Sequence, residues 1–353
     1  MALRERLAGQ IAATGPLSLA QYMTICLHDP QAGYYATRPG LGDRGDFITA
    51  PLVSQMFGEL IGLWAAACWQ AMDRPSRFRL VEMGPGDGTL MLDLLRAGQT
   101  APGFIEAADL WLVEVSEPLK AVQGARLAPA APRWAHTLDA VPDGAPMILV
   151  ANELLDCLPA QQFVRTERGW AERMIGLDGE GNLTFGLSAT LPPEAWPGPV
   201  GAVVETSPAQ AALGSQIGAR LTADGGAALL IDYGPAQDEA GGDTFQALKG
   251  HQKVDPLACP GEADLTVHAD FKAVARAAEA EGALARPLLT QAEFLRRLGI
   301  ETRASRLAQA RPDLANMIGR QFDRLTAQDQ MGTLFKVLAL HGQGFTPPAF
   351  ETD

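Results

Sequence analysis

The sequence predicts a doubly wound α/β fold built around a mainly parallel sheet. Strand, turn and helix patterns alternate from residue 78 onward, a glycine-rich turn follows the first of these strands, and several strands are continuous apolar runs. This rhythm is typical of βαβ units, and continuous apolar runs are typical of strands buried on both faces. The 353 residues, of which 47% are hydrophobic and 20% charged, fit one large core with insertions or a core with a smaller lobe.

The chain before the first core strand has a largely helical pattern. Apolar periodicity predicts helices over residues 3–14, 18–27 and 54–72. Ser18 is a suitable N-cap for the second of these helices. Residues 28–51 are rich in turn residues, and they predict a long loop of the kind that often has a function.

The core follows as alternating strands and helices, with two irregular regions. Strands are predicted over residues 78–83, 110–115, 133–135, 147–151, 227–232 and 334–340, of which residues 147–151 are a continuous apolar run. Helical periodicity predicts helices over residues 89–97, 118–127, 208–222, 271–281, 290–298 and 302–326, the last broken at Pro312. Residues 161–187 alternate and contain turn signals, which predicts inserted β-hairpins. Residues 235–266 have frequent glycine and proline, so we expect a loop over the strand ends.

Charge and cysteine usage argue against several classes of function. The net charge of −13 disfavours nucleic-acid binding and docking on anionic lipid, because both need a basic surface. The four cysteines form no CxxC pair, so neither a zinc knuckle nor a disulfide framework is indicated. The longest apolar stretch, residues 60–69, is about half a membrane span, and the N-terminus lacks the apolar segment of a secretory signal. We therefore expect a reduced cytoplasmic protein without membrane insertion or a nucleic-acid partner.

The strongest local signal is the glycine turn in LVEMGPGDGTL, residues 80–90. Gly84, Gly86 and Gly88 permit positive φ angles and let a ligand approach the main chain. The following helix begins with unpaired N–H groups. This arrangement predicts a site for a nucleotide-containing ligand at the carboxyl end of a parallel strand.

Carboxylates around this turn favour a cationic ligand without phosphate. Glu82 precedes the turn and Asp87 lies within it, and two carboxylates would repel a pyrophosphate. S-adenosylmethionine (SAM) has an ammonium and a sulfonium and no phosphate, so it is the predicted ligand. Glu114, with Val115 beside it, follows the next strand, and we predict that it binds the ribose hydroxyls. A dinucleotide, or a plain turn with surface carboxylates, remains the alternative.

Polar residues also follow the strand predicted at residues 147–151. Asn152 is predicted to hold either the donor or an incoming amine, while Glu153 and Asp156 are candidates to bind a cationic group. Asp232 ends another predicted parallel strand and therefore lies on the same edge. A plain helix N-cap formed by Asn152 is the structural alternative. His268 and Asp270 have the spacing of a metal pair, but no third ligand is evident and we predict no metal.

Seven segments of the sequence together resemble the MidA-type SAM-dependent methyltransferases. They are residues 45–62, 81–90, 113–123, 151–163, 231–234, 260–266 and 331–342. The glycine turn alone is generic, whereas GDFITAP (45–51) and ANELLDCLP (151–159) together are specific. The resemblance extends over nearly the whole chain. This family includes a mitochondrial protein arginine methyltransferase that acts in complex I assembly.

The resemblance implies a class I methyltransferase (Rossmann-like) fold with a seven-stranded sheet and helices on both faces. Late antiparallel strands, mapped onto residues 283–288 and 334–340, would close one edge. SAM would be the cofactor and S-adenosyl-L-homocysteine the product. Phe47 and Thr49 would lie over the donor. The residues that match the donor and post-strand motifs are Gly84, Gly86, Glu114, Asn152 and Glu153. The family usually has a basic residue inside the glycine turn, where this sequence has Asp87.

The resemblance also implies a domain organisation. Residues 1–60 would form N-terminal helices and a donor-covering loop, residues 61–345 the methyltransferase core, and residues 346–353 a tail. Insertions are expected at about residues 161–200, 235–282 and 302–330, the last two on the acceptor side.

The expected reaction is methylation of an arginine in a protein, with a respiratory NADH dehydrogenase subunit as the implied substrate. Because a guanidinium is always charged, carboxylates must bind it and accept a proton. Glu153 and Asp156 are the candidates, with Asp232 in reserve. The alternatives are a small-molecule N- or O-methyltransferase and a non-catalytic SAM-binding assembly factor. A homodimer is a further expectation.

Overall fold

The computed structural model describes residues 2–37, 49–189, 196–235 and 242–351. Its helices are α1 (Leu3–Thr14), α2 (Leu19–His28), α3 (Tyr34–Thr37), α4 (Ala50–Val53), α5 (Gln55–Ala71), α6 (Thr89–Gly98), α7 (Phe104–Ala107), α8 (Glu117–Arg126), α9 (Pro208–Asp224), α10 (Phe271–Ala280), α11 (Gln291–Arg297), α12 (Ile300–Ala310), α13 (Ala315–Thr326) and α14 (Met331–Leu334). Its strands are β1 (Leu17–Ser18), β2 (Phe78–Met83), β3 (Ala108–Val113), β4 (Arg133–Ala135), β5 (Met147–Asn152), β6 (Gln161–Thr166), β7 (Gly169–Leu177), β8 (Leu183–Leu187), β9 (Val203–Thr206), β10 (Gly226–Tyr233), β11 (Gln246–Lys249), β12 (Gln252–Val254), β13 (Asp264–Thr266), β14 (Leu284–Ala285), β15 (Leu289–Thr290) and β16 (Phe335–His341).

The central sheet has the order β4-β3-β2-β5-β10-β16, and the short strands β14 and β15 both pair with β16 at the edge. The neighbours from β4 to β10 are parallel, whereas β16 is antiparallel to β10. The predicted Rossmann-like α/β fold is confirmed. The sheet has the expected seven positions only if β14 and β15 count as one strand. Pro287, which has no N–H to donate, lies between them.

Each central strand sends alternate side chains to two separate cores. Leu80 of β2 packs into a core with α5 and α6, whereas Val81 packs into a core with α9 and α10. The same alternation holds for the buried side chains of β5 and β10. Because both faces are covered by helices, the interior strand β5 is a nearly continuous apolar run, from Met147 to Ala151.

The region from residue 235 to 266 differs from the prediction. The expected loop contains a small sheet with the order β12-β11-β13. The β11–β12 hairpin turns through Gly250 and His251, which both have positive φ angles (57° and 62°), as in a type I′ turn. The loop prediction was wrong here because strands of three or four residues are too short to produce a clear periodicity.

A second sheet forms around the inserted hairpins. The predicted hairpins are confirmed as β6–β7 and β7–β8. Two strands that the sequence did not predict join them, since β9 pairs with β6 and β1 pairs with β7. Helices α1 and α2 share a third core with this sheet and with β13, and they carry the N-terminal segment toward the carboxyl ends of the central strands.

Candidate active site

A cavity of about 280 Å³ lies at the carboxyl ends of β2, β3 and β5. Its wall combines the glycine turn, the residues after β3 and β5, and parts of the N-terminal segment. A larger cavity of about 540 Å³ lies between β9, α10 and β14. Of these two cavities, the smaller contains the glycine turn and most of the predicted site residues, so we take it as the candidate site. The predicted site residues on its wall are Thr49, Glu82, Gly84, Gly86, Glu114, Val115, Asn152 and Glu153.

The glycine turn has the backbone geometry that the sequence predicts. Strand β2 ends at Met83, helix α6 begins at Thr89, and Gly84, Gly86 and Gly88 have φ angles of 64°, 54° and 82°. A side chain at Gly84 would also be crowded, since its Cβ would lie 3.0 Å from Leu154 Cδ1. Glycine is therefore required by conformation at all three positions.

Glu82 is a buried carboxylate, and no lysine or arginine is among the described residues that line the cavity around it. Its side chain lines the cavity, the residue is 2% exposed, and Oε2 has no hydrogen-bond partner among the described residues. Burial raises the pKa of Glu82 well above its usual value, and the negative charges of Asp87 and Glu114 raise it further. Such a carboxylate would be stabilised by a cationic ligand in the cavity.

Asp87, the second carboxylate that the sequence places at the turn, is paired with a cation. Its Oδ2 forms a salt bridge with Arg126 of α8 at 2.5 Å, and its Oδ1 accepts the Thr89 N–H at 3.0 Å. The positive charge near this turn is therefore supplied by α8. Asp87 also lines the cavity, but its charge is compensated by Arg126, whereas Glu82 Oε2 has no partner among the described residues.

Glu114 follows β3 and is held by its own chain. Its Oε1 accepts the N–H groups of Val115 and Ser116, each at 2.8 Å, and Oε2 accepts the side-chain amide of Gln123 at 3.1 Å. Burial raises the pKa of Glu114, while these hydrogen bonds oppose the increase. The remaining lone pairs of Oε2 are free to accept hydroxyl groups from a ligand.

The residues after β5 form the opposite wall. Asn152 is the last residue of β5, and its amide donates to Glu153 Oε1 at 2.9 Å, while its buried Oδ1 has no partner among the described residues. Glu153 has a φ of 54°, a strained value for a residue with a side chain. Burial and the charge of Asp156 raise the pKa of Glu153 to about 8.

Asp156 and Asp232 do not belong to the described wall of this cavity. Asp232 is completely buried and accepts three backbone N–H groups, from Leu155 (2.8 Å), Asp156 (3.2 Å) and Tyr233 (2.8 Å). Burial and then the charge of Glu153 raise its pKa to about 8. Burial, with Asp232 and Asp264, raises the pKa of Asp156 well above its usual value. These contacts favour a role in shaping the chain after β5.

The N-terminal segment contributes residues that the sequence did not single out. Tyr35 and His28 line the cavity, and the Tyr35 hydroxyl donates to Asp264 Oδ1 at 2.8 Å. This bond joins α3 to β13 across 229 residues of chain. No local pattern marks such a pair, because its members meet only through the third core.

Of the remaining residues that the sequence singled out, some line the cavity and others do not. Thr49 and Val115 lie on the cavity wall, Val115 with 53% of its surface exposed, whereas Phe47 lies outside the described residues. His268 packs edge-on against Tyr233, and Asp270 caps α10 by accepting the Ala273 N–H. Within the described ranges, no group of three or more His, Cys, Asp or Glu could hold a metal ion. None of the described helices is long and apolar enough to cross a lipid bilayer.

The cavity wall fits SAM better than a dinucleotide. No lysine or arginine is among the described residues that line it, so a pyrophosphate would meet Glu82 and Glu114 without a counter-charge. An ammonium and a sulfonium would instead relieve the buried charge of Glu82. The residues that would hold SAM are the glycine turn, Glu82 and Glu114.

Comparison with known proteins agrees with this geometry. The model of an S-adenosyl-L-methionine-dependent methyltransferase family matches residues 60–288. The chain belongs to this family. This methyltransferase is also similar to the crystal structure of a Burkholderia thailandensis protein bound to S-adenosyl-homocysteine, with a TM-score of 0.87 and 29% identity, covering 99% of this chain and 94% of that one. SAM is therefore the methyl donor.

Curated relatives extend the similarity over almost the whole methyltransferase. The mitochondrial protein arginine methyltransferase NDUFAF7 of Danio rerio is 35% identical over 366 residues, covering 95% of this chain and 86% of the relative. The human NDUFAF7 protein is 34% identical over 364 residues, covering 94% of this chain and 81% of the relative. The predicted resemblance is confirmed.

Proposed function

We propose that this methyltransferase transfers the methyl group of SAM to an arginine side chain of a protein. The observation that carries the proposal is the wall after β5, where the buried Oδ1 of Asn152 has no partner among the described residues and the Glu153 carboxylate lies beside it. Both oxygens accept hydrogen bonds, and a guanidinium offers only donors. The curated relatives named as protein arginine methyltransferases support the same acceptor.

In this proposal the protein binds and orients the acceptor. SAM supplies an activated methyl group on a sulfonium, so little bond chemistry is left to the side chains. Asn152 Oδ1 and Glu153 bind two N–H groups of the guanidinium and direct its third nitrogen toward the donor cavity. Alignment of this kind is worth several kcal/mol. As the methyl group is transferred, Glu153 accepts the proton of the N–H group that it binds, so the methylated guanidinium keeps a single positive charge.

The raised pKa of Glu153 is consistent with a positively charged acceptor. With a pKa raised to about 8, the carboxyl is largely protonated at neutral pH while no cation is bound. A guanidinium favours the ionised form, so its binding releases a proton. Asp156 and Asp232 act through the backbone of residues 153–156, because Asp232 accepts the N–H groups of Leu155 and Asp156.

The finer identity of the acceptor is also part of the proposal. We expect a subunit of the respiratory NADH dehydrogenase as substrate and the cytoplasm as the location. A homodimer remains an expectation, which light scattering of the purified protein would test. A small-molecule acceptor and a non-catalytic SAM-binding role are the competing outcomes.

Label transfer tests the proposed reaction. The purified protein is incubated with SAM labelled in its methyl group and with lysate proteins or purified NADH dehydrogenase subunits, and mass spectrometry locates the label. We expect methylarginine in a protein, and a loss of at least about 100-fold for Glu153→Gln, in keeping with the typical contribution of a positioned acid or base. Calorimetry on the same variant should give a nearly unchanged affinity for S-adenosyl-homocysteine.

Other outcomes of this experiment contradict specific parts of the proposal. Label found only in small molecules would indicate a small-molecule methyltransferase. The absence of transferred label, despite measurable SAM binding, would favour the non-catalytic role. Full transfer by Glu153→Gln would remove Glu153 from the mechanism while leaving an arginine acceptor in place.

A further inference from the structure

Helix α8 contributes a buried amide that contacts both parts of the donor site. Gln123 is 0% exposed, and its Nε2 donates to the carbonyl oxygen of Gly86 at 2.8 Å and to Glu114 Oε2 at 3.1 Å. Its Oε1 accepts the Trp134 indole N–H at 2.8 Å. Both amide hydrogens and the amide oxygen therefore form hydrogen bonds. The two acceptors of the amide hydrogens, Gly86 and Glu114, line the donor cavity.

We propose that Gln123 is a positioning residue for SAM, because it sets the orientation of the Glu114 carboxylate and of the glycine turn together. The N–H groups of Val115 and Ser116 fix only Oε1 of Glu114. The bond from Gln123 to Oε2 fixes the remaining rotation of the carboxylate, and with it the lone pairs that face the ribose hydroxyls.

The chemistry of an amide suits this position. A cation at residue 123 would neutralise Glu114, whereas an apolar side chain would leave the Gly86 carbonyl and Glu114 Oε2 without a donor in a buried place. Gln123 supplies two donors without charge, and it opposes the increase in the pKa of Glu114 that burial causes. Glu114 therefore remains an acceptor.

The packing of the glycine turn supports the same conclusion. A Cβ at Gly88 would lie 3.6 Å from Gln123 Cγ, so the side chain lies directly against the turn. One helical turn later, Arg126 binds Asp87 and Thr89. Helix α8 thus holds the turn at two points, and only Gln123 also contacts Glu114.

Substitution of Gln123 by methionine tests the proposal through donor binding. Gln123→Met keeps the length of the side chain and removes all three hydrogen bonds. We expect the Kd for S-adenosyl-homocysteine, measured by calorimetry on the purified full chain, to rise about tenfold or more, which corresponds to about 1.4 kcal/mol. Trp134→Phe removes only the bond to Gln123 Oε1, so its Kd should change less than about threefold.

Gln291→Met is the matched control. Gln291 is also completely buried and donates to a backbone carbonyl, that of Leu325 at 2.9 Å, but it lies between α11 and α13, away from the donor cavity. We expect it to lower the melting temperature without weakening S-adenosyl-homocysteine binding. If both methionine variants weaken binding equally, or if Gln123→Met folds and binds with the wild-type Kd, the positioning role is wrong. Because the measurement involves no methyl acceptor, its outcome does not depend on the arginine proposal.

Discussion

The two walls of the candidate site are built in different ways. We call them the donor wall, formed by the glycine turn, Glu82 and Glu114, and the proposed acceptor wall, formed by Asn152, Glu153 and Tyr35. The donor wall comes from consecutive residues of one βα unit, with Glu114 added from the next strand. The acceptor wall brings together Tyr35, Glu153 and, through the Tyr35 hydroxyl, Asp264 from three distant parts of the chain. The first wall is a local structure, whereas the second depends on the packing of the N-terminal segment and the inserted sheets.

The two walls share an electrostatic property. Burial raises the pKa of Glu82 on the donor wall and of Glu153 on the acceptor wall, and neighbouring carboxylates raise both further. Each wall would therefore be stabilised by a cation, which suits a sulfonium donor and a guanidinium acceptor. Substitutions that damage one wall and spare the other are the direct test of this division.

The largest effect is expected on the donor wall, from Gly84→Ala. The φ of 64° disfavours a residue with a side chain, and the new Cβ would lie 3.0 Å from Leu154 Cδ1, at the wall of the cavity. We expect the Kd for S-adenosyl-homocysteine to rise about 100-fold, or about 2.7 kcal/mol, as measured by calorimetry.

Gly144→Ala separates conformational strain from damage to the site. Gly144 has a comparable φ of 76°, but a Cβ there would meet nothing within 4 Å, and the residue is outside the donor cavity. It should lower stability by about 1 kcal/mol with an unchanged Kd. An unchanged Kd for Gly84→Ala as well would contradict the assignment of the glycine turn as the donor site.

The sequence predicted the donor wall because its determinants are local. The strand end, the glycines and the start of the helix all lie within consecutive residues. The sequence of residues 80–90 therefore predicted both the turn and its ligand. The salt bridge of Asp87 was not predicted, for the opposite reason. Its partner Arg126 lies on another helix, and a salt bridge between two elements has no sequence pattern of its own.

The sequence singled out only part of the proposed acceptor wall. Asn152 and Glu153 follow a clear apolar strand, but the contact of Tyr35 with Asp264 depends on tertiary packing. The same limit applies to the fold. The long strands of the central sheet were predicted within two residues, whereas β1 is stabilised by pairing with the distant strand β7. The strands β11 to β13 were missed because they are too short to show a clear periodicity.

An intermediate effect is expected from Asp232→Asn, which should damage the acceptor wall alone. Its carboxylate accepts the N–H groups of Leu155, Asp156 and Tyr233, and an amide nitrogen cannot replace an oxygen there. At least one buried N–H loses its partner, so we expect chemical denaturation to give a loss of about 2 kcal/mol in stability. Methyl transfer should fall, while calorimetry should give a Kd for S-adenosyl-homocysteine within about threefold of the wild type.

Asp270→Asn is the control for this substitution. Asp270 caps α10 by accepting the Ala273 N–H, and asparagine is an equally good N-cap. The stability and the activity of Asp270→Asn should remain close to those of the wild type. If Asp232→Asn weakens donor binding as much as transfer, the two walls are not separate units.

The prediction with the smallest threshold is a dependence of the free energy of unfolding on pH at Glu153. Its pKa is raised from 4.5 in the unfolded chain to about 8 in the folded protein. Between these values the folded state holds a proton that the unfolded state has lost, so this residue lowers the free energy of unfolding as pH rises from about 5 to about 8. Glu153→Gln removes the contribution. We therefore expect the difference in the free energy of unfolding, variant minus wild type, to increase by at least about 1 kcal/mol between pH 5 and pH 8.5. Chemical denaturation without ligand measures this difference.

Glu117→Gln is the control, since Glu117 is an exposed carboxylate whose pKa is lowered by a hydrogen bond from Lys120. Because this pKa is shifted in the opposite direction, Glu117→Gln should not become more stable than the wild type at alkaline pH. S-adenosyl-homocysteine should leave the pH dependence at Glu153 largely intact, because we expect its ammonium to bind Glu82 on the donor wall. A cationic peptide containing the acceptor arginine should reduce it. If the donor product alone abolished the pH dependence, Glu153 would belong to the donor wall, and the guanidinium would need another carboxylate.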